Sequence, residues 1–111
     1  MVEVTRQGTV DVISTVDPIS SASVDELTSV LDERLVAHQP RVVLDLSSVP
    51  LIDSAGLEWL LDLADECTAR TGMLTLAAPN ALCRDVLEVT GIARQFVLFD
   101  EVSAAVGSFA R

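Results

Sequence analysis

The sequence contains no lysine, and its seven basic residues, all arginine, face 17 carboxylates for a net charge of −10. Without lysine there is neither P-loop phosphate binding nor Schiff-base chemistry. A surface that tracks a nucleic-acid backbone needs clustered positive charge, so this balance argues against nucleic acid as a partner. It also repels an anionic membrane surface and attracts a basic patch on another protein. Histidine occurs once, as His38, which excludes a histidine-rich metal site and leaves any Ser-His-Asp triad dependent on that one residue. Its place at the end of a predicted helix, before Gln39-Pro40-Arg41, reads as capping or packing. The two cysteines, Cys67 and Cys83, stand too far apart for a metal knuckle or a redox pair and read as reduced, semi-buried thiols. No apolar run approaches a membrane span, and the N-terminal MVEVTRQGTV lacks a signal-peptide core. Together these absences predict a soluble, cytoplasmic protein with no metal, no cofactor and no membrane contact.

Half of the 111 residues are apolar, enough for one sizeable core without disulfide or metal staples. Alternating valines in VEVTR and TVDVISTV, broken at Gln7-Gly8, predict a hairpin. Val24, Leu27, Leu31 and Leu35 recur at helical spacing behind a Ser23–Glu26 capping box, and Pro40 stops that helix. RVVLDLSSV reads as a central strand covered on both faces. A second helix runs from about Ser54 to Arg70, with Gly72 at its C-cap, and is followed by the strand MLTLAA. Pro79-Asn80 opens a third helix, expected to turn Leu82, Val86 and Val89 inward and to end near Gly91. QFVLF reads as a last strand, and Asp100 as the cap of a final helix that uses Val102, Ala105, Val106 and Phe109. Strands alternating with helices predict a single α/β domain over residues 1–111: a mixed, mostly parallel sheet, an antiparallel N-terminal hairpin and about four helices.

The stretch PLIDSAGLEWLL, residues 50–61, carries the functional question. On a helical wheel Leu57, Leu60, Leu61 and Ala64 form the core stripe, while Trp59 falls on the far side near Asp62 and Glu66. The only tryptophan among carboxylates is either partly covered by a neighbouring helix or loop, or exposed as an interface anchor. Either Asp53 or Ser54 serves as the N-cap. If Asp53 caps, Ser54 projects from the first turn with its hydroxyl in solvent, beside the small Ala55 and Gly56. The local pattern alone is satisfied by an ordinary helix start. DSAGL is not the Gly-x-Ser-x-Gly elbow of a nucleophilic serine, so catalysis is not expected. Asp45, an acid in an apolar strand, reads as a hydrogen bond that shapes the following loop.

The run VVLDLSSVPLIDSAGLEWLLDLADECTARTGMLTLAAPNALCRDVLEVTGIARQFVLFD resembles the STAS domain of bacterial anti-sigma factor antagonists, and the resemblance extends weakly to the N-terminal hairpin. The resemblance implies that Ser54 is the residue phosphorylated by a partner anti-sigma factor, an ATP-dependent serine kinase with a histidine-kinase-like fold. Unphosphorylated antagonist would bind that kinase and release the sigma factor. Phosphorylated antagonist would let go, and a metal-dependent serine phosphatase would restore it. Asp53 and Gly56 match the family's acidic residue before the acceptor and the glycine after it. Where such antagonists usually show Gly-Glu-Leu-Asp after the second strand, this chain has Ser14-Thr15-Val16-Asp17, with only Asp17 retained. The expected docking residues are Asp17, Asp53, Ser54, Gly56, Glu58, Trp59 and Asp62. A scaffold subunit of the same fold, without the switch, in a stress-signalling or lipid-transport complex, is the alternative. A small enzyme or nucleotide-binding domain finds no supporting motif.

Overall fold

The chain alternates strands and helices in the order β1 (Val2–Gln7), β2 (Val10–Thr15), α1 (Val24–Arg34), β3 (Arg41–Asp45), α2 (Ser54–Ala69), β4 (Met73–Ala77), α3 (Ala81–Val89), β5 (Val97–Phe99) and α4 (Val102–Ser108). A 3₁₀ turn, Ile92–Gln95, precedes β5, so the last strand is shorter than QFVLF suggests. The computed structural model describes residues 1–34 and 39–110; the expectations for Leu35 and His38 lie outside them.

The five strands form one sheet in the order β1-β2-β3-β4-β5, with β1 and β2 antiparallel and every later pair parallel. Each crossover therefore advances the sheet by one position. Alternation of side chains along each strand separates two cores. On one face Ile13, Val42, Leu44, Leu74 and Leu76 pack beneath α1, α2 and α3, through Leu27, Leu31, Leu60, Leu63 and Leu87. On the other, Val10, Val12, Val43 and Ala77 meet α4 through Ala105, with Val102, Val106 and Phe109 closing the sides. The apolar continuity of β3 has this cause: its residues serve both layers.

Several local expectations change in the folded chain. The Ser23 hydroxyl donates to the Pro18 and Ser20 carbonyls and receives the Ser20 N–H, so it closes the loop before α1 and forms no capping box with Glu26. Helix α2 ends in a Schellman motif: Gly72 N–H donates to the Cys67 carbonyl at 2.7 Å and Thr71 N–H to Thr68 at 2.9 Å. The left-handed residue of that motif is Thr71, at φ 59°, not Gly72. Gly72 is required for space, since a Cβ there would lie 2.1 Å from the Pro40 carbonyl oxygen. Helix α3 turns Cys83 and Leu87 inward with Val86 packed at the margin of the core as expected, but leaves Leu82 and Val89 exposed, so the buried face is rotated from the one its apolar spacing suggests. Asp100 caps nothing; it pairs with Arg84 at 2.8 Å, and Glu101 occupies the cap position of α4.

Candidate functional site

The parallel strands β2, β3 and β4 end at the same edge of the sheet, and their following loops meet there, the usual place for a site on a parallel sheet. Side chains and backbone stitch these loops together. Asp45 accepts the Ser47 N–H at 2.9 Å, as a loop-shaping acid should. Ile19 and Ile52 form a parallel bridge, with Ile19 N–H donating to the Leu51 carbonyl at 3.0 Å and Asp53 N–H to the Ile19 carbonyl at 3.2 Å. From the far side, Asn80 caps α3 by accepting the Cys83 N–H at 2.8 Å, and its amide donates to the carbonyls of Val49 at 3.1 Å and Pro50 at 3.4 Å. One asparagine thus starts a helix and holds the loop that precedes Ser54.

Asp53 is the N-cap of α2: its carboxylate accepts the Gly56 N–H at 2.9 Å. That bond satisfies one of the orphan donors at the helix start and places a negative group at the positive end of the peptide dipoles. With the cap filled by Asp53, Ser54 becomes the first helical residue and is exposed. Its hydroxyl makes no hydrogen bond among the described residues, and the neighbouring Asp53 carboxylate is engaged by the Gly56 N–H. Nor is any group of three metal-ligating side chains gathered among the described residues.

The other expected site residues divide into three groups. Asp17 is half-buried in the loop after β2, where it pairs with the Met1 ammonium. Glu58 stands exposed one turn along α2 from Ser54. Gly56, expected at the docking surface, is buried instead. A Cβ there would meet the Ile19 carbonyl oxygen at 2.1 Å and its carbon at 2.8 Å, so the glycine exists to let α2 approach the β2 loop. Trp59 is likewise corrected from the outward side to the α1–α2 seam. It is only 9% exposed, belongs to the main core, and its indole N–H donates to the Thr28 hydroxyl at 3.0 Å. Of the two readings of this tryptophan, cover by a neighbouring helix is the one observed. Asp62 lines the same seam, in a groove that Ser54 does not line.

Sequence reasoning missed the roles of Ile19 and Asn80 and the exposed apolar residues of these loops. Leu51 is 40% exposed next to the exposed Pro50, and Val16 is 65% exposed in the companion loop. The Pro50-Leu51 pair, one residue before the Asp53-Ser54 turn, was the available signal. Both thiols are free and buried; Cys67 lies near the far end of α2, whereas the Cys83 thiol donates to the Val49 carbonyl at 3.6 Å, in the loop that Asn80 holds. Burial pushes the Cys67 thiol up to about 11, aided by the Glu66 charge and opposed by Arg70. Burial raises the Cys83 thiol as well.

Comparison with known proteins agrees with this architecture. The family model described as the STAS domain matches residues 1–105. The chain is 31% identical over 91 residues to BtrV of Bordetella bronchiseptica, whose name describes an anti-sigma factor antagonist; the match covers 82% of this chain and 78% of BtrV. Among solved structures, an anti-sigma-factor antagonist (STAS) domain protein from Planctomyces limnophilus superposes with a TM-score of 0.85 at 25% identity, covering 99% of this chain and 98% of that one. The unphosphorylated form of the anti-sigma factor antagonist SpoIIAA superposes with a TM-score of 0.81 at 14% identity, covering 99% and 96%, a likeness of fold alone.

Proposed function

Because the chain belongs to the STAS domain family, among the anti-sigma factor antagonists, we propose that it binds an anti-sigma factor while Ser54 is unmodified and loses that hold once Ser54 is phosphorylated. The partner is a serine kinase with a histidine-kinase-like ATPase fold, working in the cytoplasm. Docking on this chain frees the sigma factor from it. A metal-dependent serine phosphatase resets the cycle and brings its own metal. This chain supplies no catalysis: it is the substrate.

One observation carries the reading. Asp53 takes the cap, so Ser54 is released from the bond that a helix-initiating serine would otherwise make, and its hydroxyl faces solvent. The kinase would bring ATP to this oxygen. The Oγ–P bond forms as the γ-phosphorus–oxygen bond to ADP breaks, and the hydroxyl proton passes to a base of the kinase. Asp53 shapes the turn, while Asp17, Glu58 and the exposed Val16, Pro50 and Leu51 form the rim that a partner covers. Gly56 supports this surface from beneath.

The phosphate acts on docking more than on folding. It adds nearly two negative charges at neutral pH. At an exposed helix start the peptide dipoles favour an anion by about 0.3–1 kcal/mol, and Asp53 next door opposes it, so the free domain changes little. At a closed interface the same group must be stripped of water with Asp53 beside it. A misplaced interfacial charge costs several kcal/mol, and every 1.4 kcal/mol is about tenfold in affinity.

The test is incubation with the cognate kinase and ATP, read by intact-mass spectrometry. Wild type should gain one phosphate and Ser54→Ala none. Ser54→Asp should keep its circular dichroism yet bind the kinase about a hundredfold more weakly. Equal phosphate incorporation by Ser54→Ala overturns the assignment. Stable, phosphate-free residence in a larger assembly would instead favour the scaffold alternative.

A further inference from the structure

The described parts of helices α1 and α2 do not close on each other completely. Between them runs a groove of about 290 Å³, lined by Thr28, Leu31, Asp32 on α1 and Trp59, Asp62, Leu63 on α2, with the Glu66–Arg70 pair at its end. The floor is apolar and fixed. Leu31 and Leu63 are core residues, and Trp59 is pinned by its hydrogen bond to Thr28. The walls are acidic. Three carboxylates line them, Asp32, Asp62 and Glu66, against the single guanidinium of Arg70. Arg70 is engaged with Glu66 at 2.8 Å, and neither Asp32 nor Asp62 has an ion-pair partner among the described residues.

We propose that this groove is a second docking surface, separate from Ser54, that receives a basic amphipathic helix of a partner protein. The apolar floor between two parallel walls fits the i, i+3/i+4 stripe of a helix laid along it. The carboxylate walls require positive charge on that helix's flanks, and the chain has no lysine with which to offset them itself. A second copy of this chain is disfavoured as occupant, because it brings another −10 to a surface that is already acidic. Asp62 lies eight residues from Ser54 in α2, about 12 Å along the axis. It lines a groove that Ser54 does not line, and the proposal is that the two are occupied independently.

Trp59, the only tryptophan, sits in the floor and makes the test direct. The probe is a synthetic leucine–arginine peptide of about 18 residues, with leucines at helical spacing, titrated while tryptophan emission is followed. A scrambled peptide of the same composition is the control. Wild type should show a saturable 1:1 change in emission, with the scrambled peptide binding at least about tenfold more weakly. The double variant Asp32→Asn/Asp62→Asn should lose about tenfold in affinity while keeping its melting temperature. Equal binding of both peptides, or no loss in the double variant, would reduce the effect to the attraction of an acidic protein for any polycation and overturn the proposal. So would sedimentation showing that the free chain pairs with itself and loses the pairing in the double variant. Ser54→Asp separates the two readings: it is expected to lose the kinase and retain the peptide. Loss of both would show that the groove and Ser54 belong to one surface and overturn the independence of the groove.

Discussion

The backbone at Gly56 stands so close to Ile19 that an added Cβ would lie 2.1 Å from the Ile19 carbonyl oxygen. That oxygen already receives the Asp53 N–H. The contact therefore joins the loop after β2 to the start of α2, and fixes where Ser54 emerges. Gly56→Ala must push the two segments apart, at about 1–3 kcal/mol for an overpacked contact. The expected result is a lower melting temperature together with slower phosphorylation, because the acceptor moves with the helix start. A Gly56→Ala variant with unchanged stability would show that the β2 loop gives way freely.

Trp59 should behave as a core residue. Trp59→Ala removes a side chain that is almost wholly buried and leaves the Thr28 hydroxyl without its donor. A loss of about 3–5 kcal/mol is expected by chemical denaturation. Trp59→Phe keeps most of the apolar volume and should lose much less. A loss below about 1 kcal/mol for the alanine variant would return Trp59 to the surface role that its place on the helical wheel suggests.

The thiols give a pH dependence that is unusually easy to isolate. The chain has neither lysine nor tyrosine, so the thiols are the side chains that ordinarily titrate in the alkaline range; the N-terminal ammonium, raised by its hydrogen bond to Asp17, is common to both proteins compared below. Burial, with Glu66 adding to it, holds the Cys67 proton up to about pH 11 in the folded state, against an ordinary value near 9. The unfolded chain therefore binds fewer protons across that window. Stability is full below pH 9 and falls as pH rises towards 11. Urea melts at several pH values should show this decline in wild type and a flatter profile in Cys67→Ala/Cys83→Ala, once each is referred to its own stability at pH 7. Iodoacetamide should leave the native thiols unmodified at pH 8 and label both in urea.

The element order was legible because the chain states it twice, in apolar periodicity and in punctuation. β3 reads as a two-faced strand because Val42 and Leu44 feed one core and Val43 the other. Asp53-Ser54 was legible as a helix start, since a short acceptor side chain before an apolar stripe is a local signal. α3 was legible only in part: Val86 packs on the core, but Leu82 and Val89 satisfy helical spacing as well as Cys83 and Leu87 do, and they are exposed. The choice between two apolar faces belongs to the surface they meet. Trp59 was ambiguous for a related reason: a wheel orders residues around one helix and contains nothing of the neighbour lying alongside.

By itself, then, the sequence determined what depends on neighbours along the chain: the alternation of strands and helices, the Asp-Ser turn, and an acidity with no lysine to relieve it. Only the tertiary structure decided which of two equivalent faces is buried, that Gly56 is needed for space against Ile19, that Asn80 tethers the loop before Ser54 from another helix, and that α1 and α2 leave an acidic groove over Trp59. These are contacts between segments far apart in the chain. Their register is set by packing against a common sheet, which no local pattern encodes.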